Sequence, residues 1–424
     1  MKIRKIRLML CLFILAGCSF HQERQPSRSN AETEQTILTE EQTKENLNNI
    51  RNTETEIETE IQTEEEFQTQ EEIQTESCLK QMTLEEKAAQ LFIVAPESLV
   101  GESGVTAAGE KTKEAFAAYP VGGLIYFTQN LVSGDQMRTM LSNMQTYSME
   151  RTGLPVFTCI DEEGGAVARI GGTGKFDVPE VERMADIGAA KDVQTAYEAG
   201  SKIGNYLYEL GFNVDFAPVA DVWSNPENEV VKERSFGSDP ELVSDMALAV
   251  YQGLDGQGVC GAFKHFPGHG ATEADTHDGY AYTGKTLDEL MGCELIPFQE
   301  GILHEVPFIM VGHISVPNVT GDDTPASLSK TMITDILRTQ MEYGGIVVTD
   351  AMNMGAVAKN YSSSEASVKA LEAGVDMILM PADFKEAYAG VLDAVRQGVL
   401  SEEKIEKSVR RIINLKLRLH QNGR

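Results

Sequence analysis

Positive charge, paired cysteines and long apolar runs are all scarce in this chain of 424 residues. Lys and Arg number 36 against 65 Asp and Glu, a formal net charge of −29, so the chain has little with which to neutralise nucleic-acid phosphates. Its six cysteines are scattered without a Cys-x-x-Cys pair, which argues against both a zinc site and a disulfide framework. The N-terminal apolar run from Leu8 to Leu15 is far short of the about 20 residues that cross a bilayer, so it does not span a membrane. Between Ser19 and Ser77 glycine is missing and aromatics nearly so. Such a segment cannot bury enough apolar surface to offset the entropy of ordering it.

Ahead of that segment, Lys2, Arg4, Lys5 and Arg7 precede the short apolar run, the layout of a secretory signal over residues 1–17. The run closes on Leu15-Ala16-Gly17-Cys18, which resembles the lipobox of bacterial lipoproteins. That resemblance implies that Cys18 is the lipidated first residue of the mature chain. Residues 18–78 then read as a disordered tether, in which sixteen Glu against four Lys or Arg between Ser19 and Ser77 give a charge of −12. Exported and anchored in this way, the protein is expected at the outer face of the cytoplasmic membrane, facing the cell wall.

Residues 79–424 carry the folded unit. Thr83-Leu84-Glu85-Glu86 has the form of a capping box and predicts a helix start. Eight short apolar runs follow, beginning at Leu91, Gly122, Pro155, Phe212, Cys260, Pro307, Gly345 and Met377, with helical stretches between them. Continuous apolar runs belong to strands buried on both faces, and intervening helices make parallel crossovers. The pattern predicts an α/β fold, a single (β/α)8 barrel, with a doubly wound open sheet as the alternative.

Polar residues collect at the C-terminal ends of these runs, the face on which barrel enzymes build their sites. Asp161 ends the third run, Lys264 and His265 the fifth, His313 the sixth and Asp350 the seventh. The stretch KHFPGHGATEADTH, from Lys264 to His277, also offers His265, His269, Asp275 and His277 as metal ligands. Pro267 and Gly268 interrupt the His265–His269 spacing, however, so no helix presents both imidazoles on one face, and neither metal nor cofactor is expected. Instead Lys264 and His265 would face a polar substrate, with Asp275 holding one ring nitrogen of His277 so that the other shuttles a proton.

The KHFPGHG motif followed by Asp-x-His resembles the N-acetylglucosaminidase branch of glycoside hydrolase family 3. Asp161-Glu162-Glu163-Gly164-Gly165 with Arg169, Lys232-Glu233-Arg234-Ser235-Phe236-Gly237, and Val348-Thr349-Asp350-Ala351-Met352 occur in the family's order. The resemblance implies a retaining, exo-acting β-N-acetylhexosaminidase. In it Asp350 would be the nucleophile, His277 the general acid/base and Asp275 its partner. Asp161, Arg169, Arg234, Lys264 and His265 would bind the terminal N-acetylglucosamine, while Asp221 and His313 are candidates for supporting roles.

Ala166, Ala271 and Thr276 depart from the family's usual residues without touching a proposed catalytic atom. The chain ends soon after the barrel, where family β-glucosidases carry a second domain that supplies the acid, and this favours the hexosaminidase branch. A histidine acid/base repels an incoming anion less than a carboxylate, so phosphorolysis is one alternative. A lipoprotein that binds wall glycan without turnover is another, although it would need neither Asp350 nor the Asp275–His277 pair. The expected partner is a β-linked glycan containing N-acetylglucosamine, from peptidoglycan or chitin, met by a monomeric enzyme.

Overall fold

The computed structural model describes residues 70–272 and 281–421. Among them, strands β1 (Phe92–Val94), β2 (Gly123–Ile125), β3 (Phe157–Ile160) and β4 (Val214–Asp215) pair in chain order. They continue into β5 (Cys260–Phe266), β6 (Phe308–Val311), β7 (Ile346–Thr349) and β8 (Ile378–Leu379), and all the pairings are parallel. Strand β8 pairs with β1 through Phe92 and Ile378, and a parallel bridge between Val348 and Met377 brings β7 to the head of β8. The ring therefore closes as the barrel that the eight apolar runs predict. An open doubly wound sheet is excluded, because its strand order would reverse at a switch point.

Every residue of β1 to β8 is buried, which is why the runs are continuous rather than alternating. Inside the barrel Phe157 meets Phe308 edge to face with ring centroids 5.5 Å apart. Outside it, helices Gly134–Thr152, Val193–Leu210 and Pro240–Gly256 start at Ser133, Asp192 and Asp239, whose side chains accept an amide of the first turn. The expected capping box is present, with the Glu86 amide donating to Thr83 Oγ1 at 3.2 Å and the Thr83 amide to Glu86 Oε2 at 2.9 Å.

The C-terminal helix, Glu402–Gln421, sends Lys416 into the interior, where its Nζ donates to Gln90 Oε1 at 2.7 Å and lies 5.0 Å from the Phe157 ring centroid. Lys416 is wholly buried, and burial pushes its ammonium down to about 7. Residues 70–81 form a helix that begins inside the segment expected to be tether. Thr75 and Leu79, one turn apart, are buried, and Glu76 pairs with Arg410 at 2.5 Å. A Glu- and Thr-rich composition hides this helix because Thr75 and Leu79 are its only buried positions, too few for an apolar period to show. No described helix is long and apolar enough to cross a membrane.

Candidate active site

The register of β5 against β6 slips between Lys264 and Phe266. Successive strand residues normally face opposite sides, but at this irregularity Lys264 and His265 both line one cavity of about 520 Å3. Asp161 from the end of β3, Asp350 from the end of β7, and Arg169 and Arg234 from loops line it as well. The structure thus brings together six of the residues singled out by sequence; Cys18, Asp275 and His277 lie outside the described residues.

One wall of the cavity is a ladder of charges. Lys264 Nζ stands 2.9 Å from Asp161 Oδ1 and 2.6 Å from Glu163 Oε1. Glu163 also takes Arg234 in a two-pronged pair, from Nε to Oε2 and from Nη2 to Oε1, both at 2.7 Å. Burial alone would raise the Glu163 carboxyl, but the Arg234 and Lys264 charges outweigh it and hold it well below the usual carboxylate range. Burial would likewise lower Lys264, yet Asp161 and Glu163 keep it above its ordinary value. The sequence alone assigns Glu163 no role, since its place beside Asp161 is visible but its partner Arg234 lies 71 residues away.

Asp350 occupies the opposite wall. Its Oδ1 accepts the Ala351 amide at 2.7 Å. Burial opposes its charge, but the His265 and His313 imidazoles, the Ala351 amide and Lys264 together hold the carboxyl below its usual range. Burial also pushes His313 down, so its ring is neutral at pH 7. Accordingly His313 Nε2 donates to the Ala351 carbonyl at 3.0 Å, and Nδ1 accepts from Ser327 Oγ at 2.7 Å. His313 thereby fixes the backbone that follows Asp350.

His265 is held from behind by Asp221, which is wholly buried. Asp221 Oδ2 lies 2.7 Å from His265 Nδ1, and Oδ1 accepts the amides of His265 and His269 at 3.1 and 2.6 Å. The turn between the two histidines depends on glycine. Gly268 has φ +123°, and a Cβ on Gly270 would stand 1.9 Å from the Val222 carbonyl oxygen. That close approach docks the turn on the segment leading to Arg234, where Asn228 Nδ2 donates to the His269 carbonyl at 2.8 Å. His269 is engaged by Thr272 Oγ1 at 3.1 Å, and among the described residues no group of three His, Cys, Asp or Glu is arranged to hold a metal ion.

Arg169 follows a short hairpin formed by Glu162–Gly164 and Val167–Ala168. Its guanidinium lies 5.8 Å from the Phe127 ring centroid, and its Nε is buried with no hydrogen-bond partner among the described residues. An ionised carboxylate therefore faces, across one small chamber, an arginine not yet satisfied and a lysine and an arginine already fixed in place. The arrangement suits a polar, multiply hydroxylated ligand that meets a nucleophilic oxygen.

Residues 83–415 match the model of the glycosyl hydrolase family 3 N-terminal domain. The chain belongs to this family. It is 36% identical over 346 residues to Beta-hexosaminidase LpqI of Mycobacterium tuberculosis, covering 78% of this chain and 82% of that one. Over 345 residues it is 34% identical to Beta-hexosaminidase A of Pseudoalteromonas piscicida, covering 76% of this chain but 57% of that enzyme. A family 3 β-N-acetylglucosaminidase from a Paenibacillus species superposes with a TM-score of 0.76 at 35% identity, over 80% of this chain and 63% of its own. The chain thus spans less than two thirds of the length of two of these three relatives. The family motifs named above lie on the cavity: the Asp161 and Lys264 strand ends, the Arg234 loop and Asp350.

Proposed function

We propose that the chain is an exo-acting, retaining β-N-acetylhexosaminidase that removes terminal N-acetylglucosamine from β-linked glycans. The observation that carries this is an ionised Asp350 at a strand end, facing a cavity of about 520 Å3 whose other wall is the Asp161, Glu163, Lys264 and Arg234 ladder. That volume lies within the range of ligand pockets, roughly 300–1,000 Å3. Asp161, Arg169, Arg234, Lys264 and His265 would hold the sugar hydroxyls. The Asp350 carboxylate would attack the anomeric carbon as the glycosidic C–O bond breaks, giving a glycosyl ester. His277, partnered by Asp275, would give its proton to the departing oxygen and then take one from the water that cleaves the ester. The family likeness and the β-hexosaminidase and β-N-acetylglucosaminidase relatives support this assignment.

On this reading Cys18 carries the lipid and the acidic segment lets the barrel reach the wall, so peptidoglycan fragments are the proposed natural substrate. The test is release of nitrophenol from nitrophenyl N-acetyl-β-glucosaminide, with Asp350→Asn losing most turnover while folding as the parent does. A slow 2-fluoro sugar should label Asp350. Label on any other carboxylate, or full turnover by the asparagine variant, would sink the assignment. Comparing N-acetylglucosamine release from muropeptides with release from chitin oligosaccharides decides the substrate.

A further inference from the structure

We infer that Glu162 is a positioning residue for sugar binding, a buried post that fixes the loop carrying Arg169. Its side chain points away from the cavity and is wholly buried. Oε2 accepts the amide of Ile170 and Oε1 that of Gly171, each at 2.8 Å, and the Arg169 amide faces the same carboxylate. Tyr206, from the helix Val193–Leu210, donates its hydroxyl to Oε1 at 2.8 Å. The Glu162 amide in turn donates to Asp215 Oδ1, at the end of β4, at 2.9 Å. The loop has been fitted to this carboxylate, since a Cβ on Gly171 would stand 3.2 Å from Glu162 Oε1. One carboxylate thus collects the consecutive amides just beyond Arg169 and ties them to β3, β4 and a helix.

Arg169 needs such a post. Its guanidinium has a ring face on one side and an unsatisfied buried Nε, and no carboxylate among the described residues pins its head. Its aim is therefore set by its backbone. An ionised side chain that accepts from both sides suits this task, because a neutral amide offers one acceptor and turns N–H groups toward the second donor. Burial raises the Glu162 carboxyl while the amides of Ile170 and Gly171 and the Tyr206 hydroxyl oppose that shift, so these donors are what favours the charge.

The inference rests on the proposed binding role of Arg169, and a double-mutant cycle on the full chain separates the two. Glu162→Gln should raise KM for the nitrophenyl substrate about tenfold and leave kcat within about threefold, the pattern of lost uniform binding. Arg169→Ala should raise KM at least as much, and adding Glu162→Gln to it should change KM by less than about twofold. Rises that multiply in the double variant would overturn the inference, because a general structural defect acts without Arg169. A folded Glu162→Gln with normal KM, beside an Arg169→Ala that binds poorly, overturns it while leaving the Arg169 reading intact. Unchanged KM in Arg169→Ala overturns both. If thermal melts show that Glu162→Gln does not fold, Tyr206→Phe replaces it in the same cycle. A rise of about twofold that vanishes in the Arg169→Ala background supports the inference, and no rise, or one that persists there, overturns it.

Discussion

Glu163→Gln isolates the energetic role of the ion ladder. The replacement keeps the side chain's shape but leaves Arg234 and Lys264 facing a neutral amide, in a setting where side-chain exposure is 2% for Glu163, 3% for Lys264 and 20% for Arg234. Removing one partner from so enclosed a set costs about 3–5 kcal/mol, because the remaining charge is buried without compensation. Asp161 still pairs with Lys264 at 2.9 Å, which puts the expected loss near the lower end, about 3 kcal/mol. Urea unfolding at pH 7 measures it. The native Glu163 carboxyl lies below its unfolded value of about 4.3, so its contribution is complete above that pH and is lost as pH falls through the native value. Parent and variant should therefore differ by the full amount at pH 7 and converge only in strong acid. A further change of Arg234→Met should restore part of the stability, since it removes the orphaned charge, while leaving substrate binding impaired. A Glu163→Gln protein within about 0.5 kcal/mol of the parent at pH 7 would refute the argument, as would a gap that changes between pH 6 and 8.

Lys416 titrates in the opposite sense to an ordinary surface lysine: its native value of about 7 lies below the unfolded value of about 10.4. Stability should be highest above pH ~10, fall by about 4–5 kcal/mol as pH drops toward 7, and level off below that; Lys416→Met should abolish this slope, and an identical slope in both proteins would show that the site is not as dry as it looks. Cys18→Ser should move the protein from the membrane fraction to the soluble one with unchanged specific activity on nitrophenyl sugars. Retention in the membrane fraction would remove the lipid anchor from the proposal.

The barrel was legible because a strand buried on both faces leaves a continuous apolar word in the sequence, and each of the eight words became a strand. The cavity's charged residues were legible for a related reason. A Lys, His or Asp that terminates such a word stands at a strand's C-terminal end, so Asp161, Lys264, His265 and Asp350 declare their place without any knowledge of their partners. What could not be read were pairings across long separations. Glu163 meets Arg234 across 71 residues, and Lys416 meets Gln90 across 326. The helix over 70–81 escapes for another reason: hydrophobic patterning detects repeated buried apolar positions, and this helix fully buries one apolar residue, Leu79, beside Thr75 hydrogen-bonded to Asn414 and Glu76 paired with Arg410.

The same distinction bears on how the cavity selects its ligand. The chain as a whole carries a net charge of −29, yet around the cavity Asp161, Glu163, Asp221 and Asp350 stand against Arg169, Arg234 and Lys264, so the fixed charges nearly cancel. Most of them are spent on one another: Lys264 is shared by Asp161 and Glu163, and Arg234 by Glu163. A site built to capture an anion would leave its cations unpaired and aimed at the ligand. Of these three cations, only Arg169 retains a buried donor with no partner among the described residues. The paired groups are oriented dipoles that offer donors and acceptors at fixed angles, which suits the hydroxyls of a neutral sugar. This balance favours hydrolysis of a neutral glycan over phosphorolysis, because an entering phosphate would find only Arg169 unpaired and would have to displace Asp161 or Glu163 from Lys264 and Arg234 to gain a second cation. Adding inorganic phosphate should accordingly leave the rate and the product of nitrophenyl-glycoside cleavage unchanged, and the appearance of a sugar 1-phosphate would show that the ladder opens during the reaction.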